Sequence, residues 1–158
     1  MSKLRTLTRR SFLIGSAAIA GGVAFGVYRA KVPFENPNLA DLPSGAASFN
    51  PWVIIDAEKV TLIAPHADKG QGVFSAQAAL IAEELDIELD RVEISFGMPD
   101  KAYMNAAFAG AIVPFPQYDY SGGAQRARGF AAGALRALMP FMGTGGSTTM
   151  PDSYDKLR

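Results

Sequence analysis

Two short stretches carry residue types and spacings that suit an anionic ligand. Asp68-Lys69-Gly70-Gln71-Gly72 comes just before a helical pattern that begins near Val73. Two glycines let the backbone turn sharply and approach a ligand closely. A helix start adds unpaired N–H groups and partial positive charge, which favour phosphate, and Gln71 can both donate and accept hydrogen bonds. Thr144-Gly145-Gly146-Ser147-Thr148-Thr149 offers the same chemistry again, with amides and hydroxyls on a loop before a second helix start. Either stretch alone is as well explained by a tight turn or a linker. Two in one chain, each leading into a helix, point to an anionic ligand with several polar groups.

The other reactive side chains offer less. His66 is the only histidine and follows a strand beside Pro65. With no acid–base partner in view, it reads as a packed or hydrogen-bonded residue. Glu83, Glu84, Asp86, Glu88 and Asp90 read as a solvated acidic face rather than a metal site, and Arg126 and Arg128 as surface residues. Ser147 lacks a nucleophile-elbow context, which argues against a hydrolase triad. Cysteine is absent. That excludes disulfides, thiolate-bound zinc, iron–sulfur clusters and a catalytic thiol in this polypeptide.

Charge is distributed unevenly along the 158 residues, although the formal total is zero. Lys3, Arg5, Arg9, Arg10, Arg29 and Lys31 all precede the first acid, Glu35, which leaves nine basic against fifteen acidic residues beyond them. So acidic a remainder is a poor nucleic-acid binder, because phosphate neutralisation needs clustered Lys and Arg. The basic start is followed by an uncharged, mildly apolar run from Leu13 to Tyr28. That order is the order of an export signal. Thr8-Arg9-Arg10-Ser11-Phe12-Leu13 resembles the twin-arginine signature. A bilayer span needs roughly 20 apolar residues, so export is favoured here over a membrane tether, and a tether stays as the second reading.

The elements that must position the two loops follow from hydrophobic periodicity. Residues 31–51 are rich in Pro, Gly and Ser and read as a linker. Trp52-Val53-Ile54-Ile55 and Val60-Thr61-Leu62-Ile63-Ala64 flank a polar turn and predict a β-hairpin. Apolar residues at 74, 78, 81, 82 and 85 predict one buried helical stripe. Arg91 to Phe96 alternates and predicts a half-exposed strand. An irregular stretch with Phe108, Phe115, Tyr118 and Tyr120 leads into a second helix over 121–139. Asp152, with Asp155 three residues on, reads as the N-cap of a third helix that has barely begun at Arg158. The class is α+β, and the chain is expected to be the N-terminal fragment of a longer protein.

Taken in order, these motifs resemble one family. Val60-Thr61-Leu62, then Asp68 to Ser75 with its Gly-Gln-Gly, then Ile81-Ala82-Glu83-Glu84-Leu85, are similar to the molybdopterin-binding large subunits of the xanthine dehydrogenase and aldehyde oxidase family. The closest branch is that of isoquinoline 1-oxidoreductase beta subunits and related periplasmic aldehyde dehydrogenases. Thr144 to Thr149, followed by Asp152-Ser153-Tyr154 and Leu157-Arg158, resembles that branch's second signature, and the twin-arginine start fits as well. Asp68 departs from the Glu found in many relatives.

The resemblance implies a molybdenum hydroxylase subunit that oxidises an aldehyde or N-heteroaromatic carbon with water-derived oxygen. It implies that Gly70, Gln71 and Gly72 contact the pterin or its phosphate, and that Gly146, Ser147 and Thr149 bind the dinucleotide part of the cofactor. Iron–sulfur clusters would lie on a small partner subunit, and the remainder of the large subunit would be a further partner. The family's glutamate base matches no residue here, so no catalytic residue is assigned, and no metal ligand either, since the cofactor's own sulfurs hold molybdenum. The expected organisation is a twin-arginine signal or anchor over 1–30, a linker over 31–51 and an incomplete molybdopterin-binding domain over 52–158. Export machinery of the twin-arginine type is the third expected partner, and the periplasm the expected location. The alternative is a non-enzymatic exported or tethered α/β binding domain, or an inactive remnant.

Overall fold

A computed structural model describes residues 2–158, with side chains from Ser11 onward. Its centre is a small mixed sheet. Strands β1 (Ala47–Asn50), β2 (Val53–Ile55) and β3 (Val60–Ala64) run antiparallel in sequence order, and β4 (Val92–Phe96) lies parallel to β3 at the far edge. Parallel pairing needs a crossover, which helix α2 (Val73–Glu84) supplies. Helices α1 (Ser2–Lys31), α3 (Gly122–Leu138) and α4 (Thr149–Leu157) complete the helical set. The class is α+β, as the periodicity implies.

The hairpin, the crossover helix, the following strand and the long second helix stand where the sequence pattern puts them. Three details differ. The stretch expected to be a linker supplies β1, because polar side chains rather than apolar ones hold it. Asn36 donates to Ser48 Oγ at 3.0 Å, Asn38 donates to the Pro51 carbonyl at 2.9 Å, and Ser48 Oγ donates to the Val53 carbonyl at 2.8 Å. The buried face of α2 is Val73, Gln77, Ala78, Ile81 and Ala82, with Leu85 42 % exposed. The face turns because Gln77 finds a partner inside, donating to Ser153 Oγ of α4 at 2.9 Å. Strand β4 is more open than half-exposed, with Phe96 uncovered except for its edge contact with Phe74.

The core lies between β3 and α2. Leu62 and Ile81 are fully enclosed, with Trp52, Val60, Ile63 and Tyr103 around them and Leu157 of α4 closing the end. Each such side chain contributes about 1.5–3 kcal/mol through burial. The irregular segment after β4 is pinned rather than loose. Short 3-10 turns occupy Lys101–Tyr103 and Ala106–Ala111, and Arg128 of α3 donates to the carbonyls of Pro116 and Asp119. Of the four aromatic residues there, Phe108 stacks with Phe141 at 5.0 Å while Tyr118 and Tyr120 face solvent. Helix α1 contains a 21-residue window, Ser11–Lys31, long and apolar enough to cross a membrane, and none of it is buried.

Candidate functional site

The loop between β3 and α2 turns through two left-handed glycines, Gly70 at φ +94° and Gly72 at φ +77°. Side chains other than glycine rarely take that conformation. The turn carries its own anion. Asp68 Oδ1 accepts from the Gly70 amide at 2.8 Å and the Gly72 amide at 3.3 Å, and Oδ2 accepts from the Phe74 amide at 3.1 Å. Those bonds, led by the one from Phe74, hold the Asp68 carboxyl below its ordinary value. Gln71 is likewise engaged within the loop: Oε1 accepts from the Lys69 amide and Nε2 donates to the Ala67 carbonyl.

The loop before α4 is built differently. Gly146 and Ser147 are consecutive left-handed residues, at φ +57° and φ +56°. Ser147 is a non-glycine residue in that region, which stores strain. Thr148 is the N-cap, yet its hydroxyl turns away from the helix. It donates to the Gly145 carbonyl at 2.7 Å and accepts from Asn105 Nδ2 at 3.0 Å. The first amides of α4 therefore have no side-chain cap. Asp152, expected as the N-cap, lies inside the helix and is buried. It accepts from the amides of Ala106 and Ala107 and pairs with Lys156 at 2.6 Å. It binds the start of the neighbouring 3-10 turn instead of its own helix, taking the Ala106 amide and sharing the Ala107 amide with Asn105, the N-cap of that turn.

Tertiary packing joins the loops. The Ala67 amide donates to Thr144 Oγ1 at 2.9 Å, and Gln77 and Ser153 tie α2 to α4. Between them lies a cleft of about 420 Å³, walled by Lys69, Gln71, Gly72 and Val73 on one side and by Thr144, Ser147 and Thr149 on the other. Gln71, Gly72, Ser147 and Thr149 thus border one cleft. Gly70 and Gly146 do not line it; they shape the turns behind it. Lys69 and Thr144 are wall residues that were not singled out as ligand contacts, although both lie within the two motifs. Ser147 also borders a second hollow, of about 740 Å³, between α3, α4 and the Ala106–Ala111 turn.

His66 sits immediately before the first loop, 3 % exposed, with neither ring nitrogen hydrogen-bonded among the described residues. It is packed as expected but not satisfied. An unpaired buried polar group costs about 1–3 kcal/mol, and burial pushes the imidazole below its usual pKa, against the pull of Asp152.

The acids Glu83, Glu84, Asp86, Glu88 and Asp90 are exposed, and Glu84 pairs with Arg158 at 2.7 Å. Lys69 and Ser147 line the cleft beside the uncapped start of α4, residue types that suit an anion, and no acid–base pair lines it among the described residues.

Comparison with known proteins agrees with the motifs. The chain is 35 % identical over 103 residues to isoquinoline 1-oxidoreductase subunit beta of Brevundimonas diminuta. The match takes in 63 % of this chain and 13 % of that protein, so the chain spans a small part of the relative's length. No protein-family profile matches the chain, and no solved structure does.

Proposed function

We propose that this chain is a cofactor-binding portion of a molybdopterin-dependent oxidoreductase subunit, and that the cleft between its two glycine loops holds the phosphate-bearing part of the cofactor. The observation that carries the reading is convergence. Loops more than seventy residues apart in sequence share one cleft, and both belong to motifs that resemble the same enzyme branch. The residues fit an anion: α4 presents uncapped amides, Ser147 is exposed, and Lys69 supplies positive charge.

In this reading Ser147 and Thr149 hold the dinucleotide phosphates with α4, and Gly146 sets the turn that presents them. Gly72 leaves room for the ligand beside the backbone, Gln71 stiffens its loop, and Gly70 lets that loop close on Asp68. When bound, a molybdenum–pterin group supplies the redox step, the hydroxylation of an aldehyde or N-heteroaromatic carbon with oxygen from water. The residues of this chain bind and orient; the base and the electron path belong to the rest of the subunit and to an iron–sulfur partner. The Arg9-Arg10 signature and the apolar α1 support export by the twin-arginine route, with periplasmic or tethered placement.

The test is molybdenum and pterin content of the intact subunit carrying Ser147→Asp. Aspartate tolerates the left-handed conformation and sets a negative charge against the phosphate. Occupancy should fall at least tenfold with the fold retained; wild-type occupancy would remove the cleft from the cofactor site.

A further inference from the structure

The two edges of the sheet are finished differently. At one, β1 is four residues long with its register interrupted between Ala47 and Asn50, and the side chains of Asn36 and Asn38 donate to the carbonyls of Ser48, Asn50 and Pro51. At the other, β4 pairs with β3 in unbroken register from Val92 to Phe96, and no strand lies beyond it among the described residues. The Gly97 amide donates to the Ala64 carbonyl at 3.3 Å. Peptide groups alternate in direction along a strand, so those of Ile94 and Phe96 point away from β3 to the open edge. Side chains alternate too, which puts Val92, Ile94 and Phe96 on the α2 side of the sheet, where Phe96 meets Phe74 edge-on. Cover there is incomplete: Phe96 is 77 % exposed, and Met98, just past the strand, 80 %. Natural edge strands are blunted by proline, bulges, inward charge or a covering element. Strand β4 has no proline and no bulge, and its one charge, Glu93, lies on the opposite face, paired with Lys59.

We propose that β4 is a docking edge, and that its occupant is a β-strand from the part of the longer subunit outside these 158 residues. The proposal rests on the reading of the chain as one portion of such a subunit. The relative is covered over only 13 % of its length, so most of that polypeptide lies beyond the matched region. A strand answers both demands of this edge. Its backbone would pair with the peptide groups of Ile94 and Phe96, and its alternate apolar side chains would cover those two residues on the α2 side. On the other face, beside Glu93 and the exposed Ser95, it would carry polar or basic residues. A helix laid over the apolar face would leave the edge peptide groups to water. A second copy fits less well, because pairing β4 antiparallel with itself about Ile94 makes the two Glu93 carboxylates diagonal neighbours on one face.

Amide-resolved hydrogen exchange over residues 92–98, measured on the 158-residue chain and on the intact subunit, tests this. The Ile94 and Phe96 amides should exchange freely in the chain and slow by about a hundredfold or more in the intact subunit. Those of Ser95 and Gly97, which face β3, should be slow in both. Phe96→Lys should lower the Tm of the intact subunit by more than that of the chain. Fast exchange at Ile94 and Phe96 in the intact subunit would overturn the proposal, as would equal Tm shifts. Protection that grows with concentration in the chain and is missing from the intact subunit would assign the edge to a second copy, and overturn it as well. Molybdenum content of the same intact subunit keeps the two readings apart. Metal with an exposed edge brings down the docking alone, and a protected edge without metal brings down the cofactor cleft alone.

Discussion

The two glycine loops are alike in composition and opposite in electrostatics. The Asp68–Gly72 loop spends its free amides on its own carboxylate, whereas the loop before α4 turns its N-cap hydroxyl away and leaves the helix end open. Left-handed backbone is carried by glycines in the first and by a Gly-Ser pair in the second. A glycine-rich turn before a helix is therefore not sufficient for an anion site. What matters is whether an acidic side chain within reach already occupies the amides. By that criterion the first loop is a wall whose amides are already occupied, and the second is the one proposed to receive the ligand.

The strongest way to break the comparison is to unseat α4. Asp152→Ala removes a buried carboxylate that serves two amides and Lys156. Removing one member of such a group costs about 3 kcal/mol or more. Urea denaturation should show that loss, and phosphate binding should fail while the Asp68 loop keeps its amide protection in hydrogen exchange. Retained phosphate affinity would show that α4 does not make the receptor.

A smaller effect separates the loops by sign. Ser147→Gly relieves a left-handed side chain and should raise stability by about 0.5–1 kcal/mol, while Gly72→Ala should lower it by about 1 kcal/mol. An added Cβ at Gly72 meets nothing within 4 Å, so that loss reads conformation alone. Thermal or urea unfolding of both variants decides it, and equal signs would mean that Ser147 is not strained.

The smallest expected change sharpens the electrostatic contrast. Asp68 has its pKa lowered on folding, so its stabilisation is complete above about pH 4, the unfolded aspartate value, and is lost as pH falls through the lower folded value. Asp68→Asn should flatten the acid limb of a stability–pH curve. It should also tighten inorganic phosphate a few-fold by calorimetry, since one negative charge leaves the margin of the cleft. An unchanged acid limb would show that the carboxylate does not hold the loop.

Much of the fold was legible because local patterns there agree with tertiary demand. The β-branched runs at 53–55 and 60–64 became a hairpin, and the alternation at 92–96 became a strand. Apart from the openness of β4, the differences share one cause, polar side chains finding distant partners. Strand β1 is held by Asn36, Asn38 and Ser48; Gln77 turned α2 inward to reach Ser153; and Asp152 left its own helix start for the amides of Ala106 and Ala107. Hydrogen-bonding capacity is written in a residue's type, but the address of its partner is not.

The candidate site divides in the same way. Residue type and chain-neighbour spacing determined that glycine turns would precede α2 and α4, because backbone freedom and helix starts are local properties. They also determined the resemblance to a molybdopterin-binding subunit, which the similarity to a curated relative supports. Only the tertiary structure decided that both turns share one cleft, and that the His66 ring nitrogens are enclosed with no hydrogen bond among the described residues. Those outcomes depend on which groups meet across more than seventy residues of chain, and the packing of α2 against α4 sets that meeting.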